Sequence, residues 1–263
     1  MNKHAIAILF LHASVARAER PAPQLNRAAE DWSTLADPAL RTEPLDGLKY
    51  LPLGSDDPAR FLSLGLTLRE RFEWVNAPLF GVKGRAHDGY DLERLQIHAD
   101  LHLDAHWNAF VQLEDVRAFD KRTIGPADEN PVDLRQAFVM FQHALGPGMV
   151  RLRFGRQEIT FDLQRFISLR DGPNVQQSFD GLWAAYTLGA WELRGFASLP
   201  VEYKRDRWFD DEQSLDDYFA LVRLERRIVP DLRTSLYYAV YGRPDRSIAH
   251  EARASSIGAT AKP

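Results

Sequence analysis

The stretch at 155–181, GRQEITFDLQRFISLRDGPNVQQSFDG, concentrates side chains that can bind an anion. A guanidinium group holds a carboxylate through two parallel hydrogen bonds, so several arginines close together suit an acidic ligand. Turn-forming residues at 171–174 indicate a sharp reversal within a long, ordered link. The alternative is a surface loop whose arginines pair only with its own aspartates. The candidate binding residues in this stretch are Arg156, Arg165, Arg170, Asp162 and Asp171.

A second candidate set is His98, His102 and His106, which alternate with Asp100 and Asp104. On a β-strand, residues i and i+4 lie about 13 Å apart, at about 3.3 Å per residue. One ion cannot bridge that distance, so the set predicts a hydrated polar face and not a metal centre.

Enzymatic chemistry has little support in the sequence. The neighbouring acids at 114–115 and 216–217 would point to opposite faces of a strand, which argues against an acid–base pair. The sequence also has no nucleophile motif, phosphate-binding loop or dinucleotide fingerprint. We therefore expect no enzyme activity, no catalytic residue, no metal and no cofactor.

Alternation of apolar and polar residues begins at Phe61 and predicts β-strands. At 94–107 one face is apolar, whereas the other is almost wholly polar or ionisable. Such strands reach the roughly nine to eleven residues that cross a bilayer at a tilt. The alternation of apolar and polar residues is imperfect at 109–116 and 134–144, so the inward faces of these two strands stay unassigned. The nine predicted strands are 61–74, 94–107, 109–116, 134–144, 150–159, 182–188, 191–199, 218–228 and 232–241.

Links between these strands alternate in length. Short turns are predicted at 108, 146–148, 189–190 and 230–231, and long links at 75–90, 118–133, 160–180 and 202–217. Short periplasmic turns and long outer loops alternate in this way in outer-membrane barrels, whereas a soluble Greek key has no reason to keep that order. The predicted fold is therefore all-β: an antiparallel up-and-down transmembrane β-barrel, with about nine strands in this sequence.

The basic residues indicate a lumen that handles anions. Of 33 basic residues, 27 are arginine, and the formal net charge of −4 gives no global basic field for nucleic acid. Arginine keeps its charge in confined surroundings, which suits a polar lumen. The residues predicted to line or constrict the pore are Arg69, Arg71, Arg94, Arg151, Arg153, Arg156, Arg165, Arg170, Arg194, Asp162 and Asp171.

Segments outside the strands have separate predictions. Residues 1–18 combine a basic start, an apolar run too short for a membrane helix and a small-residue cleavage site, which predicts a signal peptide. Residues 19–60 are predicted to form a periplasmic lead-in, and residues 242–263 are predicted to form an irregular tail. No later run of about twenty apolar residues occurs, which excludes a helical membrane protein.

The runs GRQEITFDLQRF and DGPNVQQSFDG resemble the alginate export family of outer-membrane β-barrels. A weaker likeness extends through RERFEW at 69–74, AFVQLEDVRAF at 109–119 and LRQAFVMF at 134–141. The resemblance implies an outer-membrane porin-like channel whose arginine-rich lumen passes an acidic polysaccharide such as alginate. The implied partners are a uronate polymer, outer-membrane lipid and periplasmic export or secretion components, with no nucleic acid.

Family members are expected to carry roughly twice as many strands, so the resemblance also implies a truncated exporter, of which the nine strands form the N-terminal half. Two alternatives stay open beside the channel: an incomplete product without activity of its own, and a secreted carbohydrate-active enzyme such as a lyase. An anion-selective porin with another substrate range fits the same residues.

Overall fold

A computed structural model describes residues 20–54, 56–77, 81–82, 87–161, 167–169, 171–229 and 232–242. The signal peptide predicted at 1–18 lies outside these residues. The tail predicted at 242–263 also lies outside them, except for Gly242, which ends the last strand.

One antiparallel sheet of eleven strands dominates the fold and confirms the predicted up-and-down topology. Strands that are consecutive in the chain are neighbours in the sheet, with one exception. β10 follows β8 in the sheet, and the short β9 pairs with β8 outside this order. Nine strands have ten residues or more and correspond to the nine predicted strands, whereas β1 and β9, which were not predicted, have two residues each. The strands are β1 Leu51–Pro52, β2 Phe61–Asn76, β3 His87–His102, β4 Trp107–Phe119, β5 Asn130–Leu145, β6 Gly148–Gln157, β7 Phe179–Leu188, β8 Trp191–Glu202, β9 Glu212–Gln213, β10 Tyr218–Val229 and β11 Leu232–Gly242.

The sheet is open. Within the described strands, β11 pairs only with β10, and β2 pairs beyond β3 only with the two residues of β1. This arrangement is that of a partial barrel.

Several strands are longer than predicted, because residues assigned to the long links continue the strand pairing. β2 and β3 pair out to Asn76 and His87, and the Tyr90 hydroxyl donates to Glu73 Oε2 across them at 2.6 Å. The links that result still alternate: 77–86, 120–129, 158–178 and 203–217 are long, and 103–106, 146–147, 189–190 and 230–231 are short.

The first short turn is displaced from its predicted position. Residue 108 was expected in the turn, but Asn108 lies within β4 and is buried. The chain reverses at 103–106 because Asp104 Oδ1 accepts hydrogen bonds from the backbone N–H groups of His106 and Trp107, at 2.7 and 2.8 Å. Such an aspartate turn does not interrupt the apolar alternation that the sequence shows.

The two faces of the sheet have an inverted burial pattern. In β3, Arg94 is 5% exposed and His98 4% exposed, whereas Ile97 between them is 51% exposed. In β6, Phe154 is 71% exposed and alternates with Arg151 and Arg153. A soluble sandwich buries its apolar face and exposes its polar one. Here the polar face is covered and the apolar face lies outward.

The lead-in covers the polar face at the end that carries the short links. Its Trp32, Leu35 and Tyr50 form a buried cluster with Phe61, the first residue of β2. Arg27 Nε donates to Thr67 Oγ1 of β2 at 3.2 Å. The lead-in contains three short 3-10 helices, Arg27–Ala29, Ser33–Ala36 and Pro38–Leu40, and one α-helix, Asp46–Lys49. In the part of the chain described, no helix is long and apolar enough to cross a membrane.

The β6–β7 link, 158–178, covers the polar face at the other end. Its Ile159 and Phe161 pack in one buried cluster with Phe196, Phe219 and Leu221 of β8 and β10. The link therefore folds back over the strands and does not project away from them.

Two glycines allow close strand approach where this link leaves and rejoins the sheet. Gly155 and Gly181 are partners in the β6–β7 register. A Cβ at Gly155, where φ is +130°, would lie 2.2 Å from the Ala137 carbonyl oxygen, and one at Gly181 would lie 2.2 Å from the Ala197 carbonyl oxygen. Neither position accommodates a side chain without a shift of backbone.

Candidate functional site

Three predicted pore-lining arginines bind one turn of the β6–β7 link. Arg69 and Arg71 lie on β2, and Arg94 is the register partner of Arg69 on β3. Arg69 Nη1 donates to the Asp171 carbonyl at 2.6 Å, and Arg71 Nη1 donates to the next carbonyl, also at 2.6 Å. Arg94 Nη2 donates to the Asp171 carboxylate, which also lies 3.5 Å from Arg69. We call the three arginines with residues 171–174 the latch.

Asn174 is the central polar residue of the latch. Its side chain is almost fully buried, and its Nδ2 lies 2.9 to 3.1 Å from the carbonyl oxygens of Glu93, Arg117 and Asp128. Its Oδ1 accepts a hydrogen bond from Arg69 at 2.9 Å. One side chain therefore ties the link to three separate segments. The sequence marked Asn174 only as a turn former.

A buried polar network continues from the latch to β5, around a residue that sequence reasoning missed. Arg135 Nη2 donates to Glu158 Oε1 at 2.8 Å, and its Nη1 donates to the Gln176 carbonyl at 2.8 Å. Arg135 Nε lies 3.8 Å from Glu114 Oε2, which also accepts from Gln96 at 2.5 Å. Arg135 thus joins both ends of the β6–β7 link to the sheet.

A second group of arginines surrounds Trp183 on β7. The guanidinium of Arg153 lies 4.9 Å from the ring centroids of both Trp183 and Phe138. Arg151 and Arg194 lie 5.9 and 5.8 Å from the same indole ring. We call Arg151, Arg153, Arg194 and Trp183 the arginine cluster. It combines cations with an aromatic face, an arrangement that can hold an acidic ring-shaped ligand.

The three arginines of this cluster differ in whether they have an acidic partner. Glu192 contacts Arg194, and its carboxylate lies 3.5 Å from Arg151. Across the residues that the structure describes, Arg153 has no ion pair or hydrogen bond, and its Nε is buried without a partner. Arg153 is therefore the member of the cluster whose charge has no acidic partner.

The sheet face that holds the arginine cluster continues through paired residues towards β11. Arg151, Ala185, Arg194 and Arg223 are successive partners across β6, β7, β8 and β10. Arg223 pairs with Glu225 at 2.6 Å, and Arg233 of β11 lies 3.5 Å from the same carboxylate.

The remaining predicted site residues fall into two groups. Arg156 holds Asp180 through two hydrogen bonds of 2.9 and 3.1 Å, so it fixes the base of the link. Asp162, Arg165 and Arg170 lie outside the described residues.

Of the histidines predicted to form a polar face, His98 and His102 lie on the covered side of β3, whereas His106 lies in the 103–106 turn and is exposed. His98 stacks on Phe110 with ring centroids 5.6 Å apart, and His102 Nε2 is 3.0 Å from Asp100 Oδ2. The adjacent acids at 114–115 face opposite sides of β4, since Glu114 reaches Arg135 whereas Asp115 pairs with Arg117.

A family model described as alginate export matches residues 60–261. No curated protein and no solved structure matched the chain. The matched residues include all nine long strands, the latch and the arginine cluster.

Proposed function

The chain belongs to the alginate export family, and we propose that its sheet is a wall of an outer-membrane channel through which an anionic polysaccharide such as alginate diffuses. In this proposal the polar face lines the lumen, the apolar face contacts outer-membrane lipid, and the lead-in meets periplasmic export components. The observation that carries it is the inverted exposure of the two faces.

Aromatic residues at both ends of the apolar face support contact with lipid. Trp107 and Trp191 begin strands at the short-link end, and both are exposed. Trp74, Phe119 and Tyr218 lie at the long-link ends of their strands and are also exposed. Two such girdles flank the apolar band of outer-membrane barrels.

The arginine cluster supports passage of an acidic polymer. Fixed positive charge in a low-dielectric lumen favours anions, whereas neighbouring carboxylates keep each binding step weak enough for the anion to leave. Arg153 supplies the charge without an acidic partner, and Glu192 occupies Arg151 and Arg194. In this mechanism uronate carboxylates bind Arg153 transiently beside Trp183, and no bond is made or broken.

We expect Arg153→Glu to weaken oligouronate binding at least about tenfold, because a charge-assisted contact contributes about 1.5–3 kcal/mol and the new carboxylate repels the ligand. Titration calorimetry on the detergent-solubilised full chain measures this affinity. Arg205→Glu, on the exposed β8–β10 link, makes the same change of charge away from the cluster.

An equal loss of affinity in both variants would make the effect one of net charge and would contradict a binding role for Arg153. Equal binding of a neutral oligosaccharide of the same length would contradict selection by arginine.

The long links are expected on the outer surface of the cell. Since the chain has no cysteine, single cysteines report their own positions. A bulky thiol reagent applied to intact cells should label Pro126→Cys and Arg205→Cys, and should leave Pro147→Cys and Ala190→Cys unlabelled until the cells are lysed. All four positions are exposed in the isolated chain, so equal labelling on intact cells would refute the membrane orientation.

A further inference from the structure

The lead-in is held together by contacts among its own side chains. Arg20 binds the Asp46 carboxylate through hydrogen bonds of 2.7 and 3.0 Å, although 26 positions separate the two residues. Glu30 accepts hydrogen bonds from Arg27 at 2.7 Å and from the Trp32 indole at 2.8 Å. None of these five residues belongs to a strand of the sheet. The lead-in therefore has a set of internal contacts that does not depend on the sheet.

The contacts between the lead-in and the sheet are few. Among the residues that the structure describes, one side-chain hydrogen bond joins the lead-in to a long strand, from Arg27 Nε to Thr67 Oγ1 at 3.2 Å. β1, which belongs to the lead-in, pairs with β2 through two residues. The apolar contact centres on Phe61, whose ring stacks on Tyr50 with centroids 4.8 Å apart. Separation of the lead-in from the sheet would thus break a small number of interactions.

Polar groups beneath the lead-in are buried without hydrogen bonds. Ser63 is 1% exposed and His98 4% exposed, and within the described part of the chain Ser63 Oγ and His98 Nδ1 have no partner. Lys49 of the lead-in reaches this position, because a Cβ at Gly65, the register partner of His98, would lie 2.5 Å from Lys49 Nζ. Burial lowers the pKa of Lys49. Docking of the lead-in therefore removes polar groups from water without replacing their hydrogen bonds, which weakens the docked state.

We propose that the lead-in is a displaceable plug, which leaves the polar face of β2 and β3 as one unit while the strands stay paired. Its departure breaks few contacts, keeps the internal ones and returns Ser63, His98 and Lys49 to water. Segments with few contacts to the rest of a fold open locally in this way. A regulatory role of the plug rests on the proposed function: the polymer and the docked lead-in cannot occupy the same part of the lumen, so bound polymer favours the open state.

The direct test measures how fast a maleimide reacts with a single thiol placed beneath the plug in the detergent-folded full chain. Ser63→Cys replaces a hydroxyl that has no partner, and the chain has no cysteine of its own. Val116→Cys is the control, since Val116 is 0% exposed and pairs with Arg94 of the latch. We expect Ser63→Cys to react at least about tenfold faster, because the plug opens more often than the sheet. Equal rates would mean that both thiols wait for the sheet to open, and would overturn the proposal.

A second substitution tests whether the docking contact controls this rate. Thr67→Val removes the hydrogen bond from Arg27 with little change in volume. Combined with Ser63→Cys, it should raise the reaction rate about threefold or more, the effect of one lost hydrogen bond on the opening equilibrium. Combined with Val116→Cys, it should leave the rate unchanged. An unchanged rate at position 63, or an equal rise at both positions, would contradict opening of the plug alone.

The regulatory role is tested by adding the oligouronate to Ser63→Cys. Labelling should become faster with the oligouronate but not with a neutral oligosaccharide of the same length, and an unchanged rate would overturn a role in gating. The two proposals fail separately. Loss of the Arg153 effect in calorimetry would contradict the channel but leave the difference between Ser63→Cys and Val116→Cys intact. Equal labelling of these two thiols would remove the plug but leave the oligouronate affinity intact.

Discussion

Replacing Arg135 with methionine is expected to lower the free energy of unfolding by about 3–5 kcal/mol, the usual cost of removing one partner from a buried ion pair. The Arg135 side chain is 1% exposed, and Glu158 and Glu114 are nearly as buried. Methionine fills a similar volume but leaves both carboxylates without their cation. It also leaves the Gln176 and Gln177 carbonyls without the donor that now lies 2.8 and 3.1 Å away.

Urea unfolding of the detergent-folded chain, followed by tryptophan fluorescence, measures this loss. Arg117→Met is the matched control, because Arg117 pairs with Asp115 at 2.8 Å on the neighbouring strand but is 39% exposed. Such a pair contributes less than about 1 kcal/mol. The double variant Arg135→Met/Glu158→Gln should recover part of the loss, since it no longer buries an unpaired charge at Glu158. Equal losses in Arg135→Met and Arg117→Met would show that the buried network does not stabilise the fold.

The difficulty of predicting Arg135 has a local cause. Pairing of β4 with β5 shifts register between Gln112 and Leu113 and again between Glu114 and Val116. Each irregularity moves later residues out of the simple two-residue alternation, so the inward face cannot be read from the sequence there. On β3 and β6 the polar faces follow the alternation, and Arg94, Arg151 and Arg153 lie on the face opposite the exposed apolar residues.

Contacts between residues far apart in the sequence could not be predicted, for a different reason. The alternation of short and long links predicted the topology, because link length and strand period are local properties of the chain. The latch joins Arg69 to Asn174, 105 positions later, and Arg94 to Asp171, 77 positions later. No local pattern specifies such pairs. Sequence identified the β6–β7 link as rich in binding groups, but it could not show that Asp171 occupies arginines of β2 and β3.

Asp171 should compete with a ligand carboxylate, because it already occupies arginines of β2 and β3. Asp171 contacts Arg94 and lies 3.5 Å from Arg69, and its side chain is 45% exposed. It therefore stands where an incoming carboxylate would reach the same two arginines. We expect Asp171→Ala to tighten oligouronate binding about tenfold, because each freed guanidinium offers a charge-assisted contact of about 1.5–3 kcal/mol before desolvation is subtracted. The link should stay in place, since Asn174 and the backbone carbonyls of the latch keep their partners.

Calorimetric titration with the oligouronate used for Arg153 compares this variant with two others. Asp206→Ala makes the same change in net charge on an exposed link and should bind like the parent. Asp171→Ala/Arg94→Gln removes both the competing acid and the arginine that it frees, so its affinity should return toward that of the parent. If the double variant binds as tightly as Asp171→Ala, the gain does not come from Arg94. If Asp171→Ala itself binds no more tightly than the parent, Asp171 does not compete with the ligand, and the latch only positions the link.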